Sequence, residues 1–269
     1  MRKIDRVYRD LLGLKVASSE EALDIVRRVA GDVDMRYAYN EYLKRLLRQG
    51  KLIRVRRGLY LALGELETPE NFAVDRFLLA SKLRERYYIG YHSALEYHGA
   101  AYSMYREVYV CIRKGERFAS FDFGGLSYRP VYVSDPETGV EEREHRGALL
   151  RVSGKERTFV DCLQRVRYAA GWEECLKSLE MLSGMDFKKL FGILKERNSD
   201  FTLRKAGYIL ELLSERSIYY EDVGSELLER IRARIGSTPM QLERGRPSSL
   251  NKRWNLYVPE GFEERLRGI

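Results

Sequence analysis

The chain has 269 residues, 44% of them hydrophobic and 33% charged, and a net charge of +8. That length accommodates a small domain and a larger one with a substantial core, and no apolar run reaches the ~18 residues of a membrane span. The start MRKIDRVYRD lacks the apolar stretch of a signal peptide, so no membrane partner and a cytoplasmic location are expected.

The first elements read as a winged helix-turn-helix over residues 1–64. An amphipathic segment from Arg2 to Leu12 predicts a first helix. Ser18 with Glu21 three positions later predicts a capping box that starts a second, Glu20 to Ala30. After the turn Gly31-Asp32-Val33, Asp34 caps a third helix, Met35 to Gln49. Its inner face is Tyr39, Leu43, Leu46 and Leu47, and its outer face carries Arg36, Tyr37, Asn40, Lys44, Arg45 and Arg48. Gly50 supplies a left-handed residue that ends the helix. The period then changes: Ile53 and Val55 alternate with Arg54 and Arg56, Arg57-Gly58 make a turn, and Leu59-Tyr60-Leu61 return as a second strand.

Charge singles out this module. Residues 1–63 hold 15 Lys or Arg against 8 Asp or Glu, whereas residues 64–269 hold 33 against 32. A positive field confined to one small unit is the footprint of phosphate binding. In such a unit the third helix enters a major groove and the wing lies along the backbone or minor groove. Arg36, Tyr37 and Asn40 are therefore the expected base readers. Lys44, Arg45, Arg48, Arg54, Arg56 and Arg57 are the expected phosphate contacts.

Beyond the wing, Thr68-Pro69-Glu70 predicts the start of a connector helix within residues 65–85, running to about Arg84 with a stripe of Phe72, Val74, Phe77, Leu78 and Leu83. Residues 86–269 read as a larger α+β domain. A short helix from Ser93 to Tyr97 precedes extended segments at Glu107–Arg113, Ala119–Phe123, Leu126–Ser134, Val140–His145 and Ala148–Val152, read as an antiparallel meander. Helices follow near 155–165, 172–183, 187–197, 202–215 and 223–234, then a loop from Gly236 to Ser249 and a last strand, Arg253 to Val258. The whole is a helix-rich α+β fold.

No catalytic constellation emerges. SGKERT at 153–158 lacks the upstream glycine of a phosphate-binding loop and reads better as a capping box of Ser153 with Glu156. Arg157 and Asp161 have the spacing of an intrahelical ion pair. His92 and His98 are six apart, on different helix faces, which disfavours a shared metal. His145 reads as a solvated strand residue. Asp122 and Glu142 lack the lysine of a metal-dependent nuclease. Cys111, Cys162 and Cys175, odd in number and without a CxxC pair, read as buried reduced thiols. No catalytic residue, no metal and no cofactor are expected.

GLYLA after a basic hairpin, YYIGYHSALEYHG at 87–99, KERTFVDCL at 155–163 followed by Gly171, and FTLRKAGYILELL at 201–213 occur in an order that resembles AbiE-type antitoxins of type IV toxin–antitoxin and abortive-infection phage-defence systems. The resemblance runs from about residue 10 to 258. It implies a winged-helix autorepressor that binds double-stranded DNA at its own promoter, plus a C-terminal domain that neutralises a nucleotidyltransferase-like toxin. The operator is expected to be an inverted repeat, bound by a homodimer or by two monomers on half-sites. Neutralisation by direct contact, by toxin modification or by competition for the toxin's target all stay open. Two other readings stand beside it: a nucleic-acid-targeted or toxin-modifying enzyme with its chemistry in the C-terminal domain, and a protein-binding module whose basic face meets an acidic partner. The tail RGRPSSLNKRWNLYVP at 244–259 departs from the resemblance, with Trp254 read as core and the role of Arg244, Arg246, Lys252 and Arg253 left open.

Overall fold

The computed structural model describes residues 1–266; the last three residues of the domain read over 86–269 lie outside the described residues. The chain opens with α1 (Lys3–Leu14), β1 (Val16–Ser18) and α2 (Ser19–Ala30). The capping box at α2 is present in both halves: Glu21 N–H donates to Ser18 Oγ at 3.1 Å and Ser18 N–H to Glu21 Oε2 at 2.9 Å. The third helix starts where Asp34 accepts from Tyr37 N–H at 2.7 Å. It is interrupted, however: α3 (Met35–Ala38) passes through a π turn at Tyr39–Leu43 before α4 (Lys44–Arg48). Gly50, at φ 67°, closes it as a Schellman motif, with Lys51 N–H on Leu46 O and Gly50 N–H on Leu47 O.

The hairpin β2 (Leu52–Arg56) and β3 (Leu59–Ala62) pairs through β3 with β1, giving the sheet order β1-β3-β2. Every residue of β3 is buried, because alternate side chains serve two cores. Tyr60 and Ala62 join Leu43, Leu46 and Ile25 beneath the helices. Leu59 and Leu61 join Leu78, Tyr87 and Val110 of the following chain. The winged-helix unit is thus seated on the rest of the molecule through a shared core.

The connector differs from its expected form. Helix α5 covers only Arg76–Ser81. Thr68 pairs instead with Asn71 in a tight turn, Glu67 accepts from the N–H of Gly64 and Ala73, and Asp75 caps α5 by accepting from Phe77 and Leu78. Carboxylates at 67 and 75 satisfy the backbone locally, and the helix begins only after the second.

A six-stranded sheet follows, built from β4 (Tyr87–Ile89), β5 (Glu107–Ile112), β6 (Phe121–Phe123), β7 (Leu126–Tyr132), β8 (Val140–His145) and β9 (Ala148–Ser153), with α6 (Tyr91–Tyr97) between β4 and β5. Its order is β6-β7-β5-β4-β9-β8. The antiparallel meander is corrected here. The hairpins β6–β7 and β8–β9 are antiparallel, but β7 runs parallel to β5 and β9 parallel to β4. One sheet face, with Val108, Val110 and Val152, meets α5 and the winged-helix sheet. The other, with Tyr88, Cys111 and Val131, meets a helical layer.

That layer comprises α7 (Lys155–Gln164), α8 (Trp172–Glu180), α9 (Phe187–Arg197), α10 (Asp200–Ser214) and α11 (Ser225–Arg232), close to the expected spans. The capping box expected at Ser153 and Glu156 is absent: Gly154 is the N-cap residue, Ser153 Oγ lies 2.7 Å from Thr158 Oγ1, and Glu156 accepts from Asp186 N–H. The loop and last strand resolve into β10 (Met240–Gln241), β11 (Ser248–Asn251) and β12 (Leu256–Pro259), ordered β10-β12-β11. Trp254 is fully buried over Gly207 of α10, as read, and its Nε1–H donates to Glu211 Oε2 at 2.6 Å. The fold is mixed α+β, and among the described residues no helix is long and apolar enough to cross a membrane.

Candidate nucleic-acid interface

The third helix sorts its side chains by burial. Ala38, Tyr42, Leu43 and Leu46 point into the winged-helix core, with Tyr39 and Leu47 packed at its margin. Arg36, Tyr37, Asn40, Arg45 and Arg48 are exposed, and Lys44 is half-buried. The π turn inserts an extra residue into the repeat, so one turn spans Tyr39 to Lys44, whose N–H donates to Tyr39 O. The register of the outer face shifts there, and Asn40 and Arg45 come onto adjacent turns. Arg45 is not a free charge, since Glu41 pairs with it at 2.8 Å. The i,i+4 spacing of Glu41 and Arg45 was visible in the sequence and is the signal for that pairing. Tyr37 is 48% exposed, and its ring lies 6.3 Å from that of the buried Tyr42, tilted by 57°.

The wing divides the three expected arginines. Arg54 and Arg57 are exposed. Arg56 departs from its expected place at a phosphate. A bulge between Arg54 and Arg56 turns it toward the six-stranded sheet, where its guanidinium lies 5.0 Å from the Phe121 ring and 5.9 Å from Phe118. Burial, and then the charge of neighbouring Arg84, lower its pKa. The hairpin tip is held as well: Ser19 N–H donates to Gly58 O at 2.9 Å, tying the turn to the start of α2. The aromatic seat for Arg56 lies more than sixty residues away in sequence, and no local pattern marks it. Lys82 and Glu21 form a further ion pair between α5 and α2, as do Lys15 and Glu67 between the β1 approach and the connector.

Several of the groups weighed for chemistry meet partners within the fold. Arg157 and Asp161 form a buried ion pair, closed by Tyr88, whose hydroxyl donates to Asp161 Oδ2 at 2.9 Å and accepts from Arg157 Nη2 at 2.8 Å. Burial raises the Asp161 pKa against the opposing pull of Arg157. His92 lies between Glu174, 3.0 Å from Nε2, and Glu96, 3.3 Å from Nδ1. His98 Nε2 is 2.7 Å from Ser153 O, and burial lowers its pKa. His145, expected in solvent, is part-buried and pairs with Asp75 at 2.8 Å beside the Phe77 ring. Asp122 accepts from the Ser127 hydroxyl. Cys111, Cys162 and Cys175 are free and buried, and burial pushes the Cys175 thiol up to about 12. Among the described residues no three His, Cys, Asp or Glu side chains gather in an arrangement that could hold a metal ion.

No protein-family model and no curated protein sequence matches the chain. In three dimensions it is similar to the crystal structure of the RV2827C protein from Mycobacterium tuberculosis, with a TM-score of 0.67 over 98% of this chain and 94% of that one. The two are 16% identical, so the likeness is one of fold.

Proposed function

We propose that this chain is a sequence-specific regulator that binds double-stranded DNA through α3, α4 and the wing, at an inverted repeat in its own promoter. The observation that carries this reading is the exposure of Arg36, Tyr37, Asn40, Arg45 and Arg48 together on one helix, in a module holding 15 basic against 8 acidic residues within its first 63. Side chains of this kind at the start of a third helix reach base edges, and those farther along it reach phosphates. Arg36, Tyr37 and Asn40 are assigned to bases. Arg45, Arg48, Arg54 and Arg57 are assigned to phosphates, with Lys44 at the margin. Arg56 holds the wing in place.

Substituting Asn40→Ala tests the assignment in a competition series across single-base variants of the bound site. The expected loss is about 1–3 kcal/mol on the parent site with relaxed preference at one base position. An unchanged preference at every position sinks the helix assignment.

The resemblance to AbiE-type antitoxins supports an operon role, in which residues 86–269 neutralise a nucleotidyltransferase-like toxin in the cytoplasm. This part is tested by the product of the neighbouring gene. If it is a toxin of that class, co-expression of the full chain restores growth; growth arrest that persists at full expression of the chain refutes neutralisation.

A further inference from the structure

The outer face of the third helix carries one residue that runs against its charge. From Met35 to Leu63 the chain holds eight Arg or Lys and a single acid, Glu41. Glu41 follows Asn40, one of the residues assigned to bases, and both lie within the π turn at Tyr39–Leu43. An insertion of this kind re-aims side chains and recurs at functional sites.

The Glu41 side chain is 42% exposed and that of Arg45 is 57% exposed, with Arg45 Nη2 2.8 Å from Glu41 Oε2. Oε1 takes no hydrogen bond among the described residues. One carboxylate oxygen is therefore neutralised, and the other is open to whatever the helix meets. As an intrahelical pair in solvent these charges contribute little to stability. On a surface of cations suited to phosphates, an acid weakens binding to every duplex by like-charge repulsion.

We propose that Glu41 is a specificity-determining residue that accepts a hydrogen bond from the exocyclic amino group of a cytosine in the major groove, with Arg45 shielding it from the phosphates. The inference rests on the duplex reading above. A carboxylate has acceptors only. Cytosine N4 offers it a donor, whereas guanine O6 and N7 and thymine O4 offer further acceptors and are repelled. Adenine sets an acceptor, N7, beside its amino group and suits an amide such as Asn40. The repulsion from the backbone acts at every sequence, and only the matching base compensates it. Discrimination then comes from a repulsive element set beside an attractive one.

The test compares the full-chain parent with Glu41→Gln and Arg45→Gln. Dissociation constants are measured on the duplex upstream of its own gene, on every single-base-pair variant of the bound site, and on a scrambled duplex over a range of salt concentrations. The parent is expected to prefer C·G at one position that Glu41→Gln no longer reads. Cytosine preference there falls about tenfold in Glu41→Gln and adenine gains, because an amide pairs bidentately with adenine. On the scrambled duplex Glu41→Gln is expected to bind more tightly than the parent, with a salt slope steeper by about 0.9 as the charge it neutralised becomes available to a phosphate. Arg45→Gln is expected to bind both duplexes more weakly and to keep the cytosine preference. Both variants keep the parent's melting temperature. A Glu41→Gln protein with the parent's base profile, a preference lost at a base other than cytosine, or the same factor lost on upstream and scrambled duplexes overturns the proposal and leaves the duplex reading standing. A parent that binds the two duplexes equally overturns both.

Discussion

Arg56 and Arg57 are neighbours in the wing and are expected to behave oppositely when changed. Arg57 is exposed, whereas the Arg56 guanidinium is seated 5.0 Å from Phe121. On the proposed reading, replacing Arg57 by Gln is expected to remove one phosphate contact and to flatten the dependence of log K on log salt by about 0.9 on duplex DNA, with no change in melting temperature. Replacing Arg56 by Met keeps the packed stem and removes only the cation over the ring. A cation–π contact ranges from about 0.5 kcal/mol when exposed to about 2 when desolvated. Burial and the charge of Arg84 oppose that contact, and Arg56 Nη1 is buried with no hydrogen-bond partner among the described residues, so the net change is expected to stay within about 1 kcal/mol, or about 2–4 °C in melting temperature for a chain of this size. Its salt slope is expected to equal the parent's. Circular-dichroism melts and duplex titrations at four salt concentrations read both quantities. An Arg56→Met protein that melts with the parent and flattens the slope as much as Arg57→Gln refutes the assignment of Arg56 to the interior contact.

Three further outcomes are expected. Gly207→Ala places a Cβ 2.0 Å from Cζ3 of the fully buried Trp254, so overpacking of about 1–3 kcal/mol or more exceeds the ~1 kcal/mol gained in helix propensity; a Gly207→Ala protein as stable as the parent in urea contradicts that packing. Burial depresses the His92 pKa, but the carboxylates of Glu96, 3.3 Å from Nδ1, and of Glu174, hydrogen-bonded at Nε2, outweigh it and raise it overall, while Arg76 and the Tyr105 ring complete the surroundings. A raised pKa stabilises the fold fully below the unfolded value of about 6.5 and less as pH rises through the folded value, so the stability lost in His92→Gln shrinks with rising pH; a loss that grows with pH has the wrong sign. Ellman's reagent is expected to find none of the three buried thiols in the native chain and all three in denaturant, and rapid native labelling contradicts their burial.

The acid side has the opposite sign. Burial would raise the Asp135 pKa, but the N–H groups of Glu137 and Thr138 and the charge of Arg197 hold it at about 2. That group contributes stability above the unfolded value of about 3.9, and the contribution is lost as pH falls toward the folded one. Asp135→Asn is expected to shift the acid unfolding midpoint upward in a pH titration, and an unchanged midpoint removes Asp135 from the acid response.

Legibility followed the range of the interaction. Ser18 with Glu21, Asp34 before the third helix and Gly50 after it act within a few residues, and each was readable from the chain. The hairpin turns at Gly124-Gly125 and Arg146-Gly147 were equally local. The parallel pairing of β7 with β5 was not, because crossover ladders leave no mark in the residues that form them. Thr68-Pro69 imitates a helix start, and the carboxylates of Glu67 and Asp75 override it. On the third helix the exposed faces of Arg36, Tyr37 and Asn40 were legible from period alone, whereas the π turn at Tyr39–Leu43 has no period to read. Arg56 needed a partner surface that only the tertiary fold supplies.

The central claim is sequence-specific duplex recognition by the third helix and wing. Its most direct test is the ratio of two dissociation constants for the full chain at one fixed physiological salt concentration, one for the duplex upstream of its own gene and one for a scrambled duplex of the same composition. The expected ratio is about 10³ or more in favour of the upstream duplex. Equal constants for the two duplexes contradict the claim.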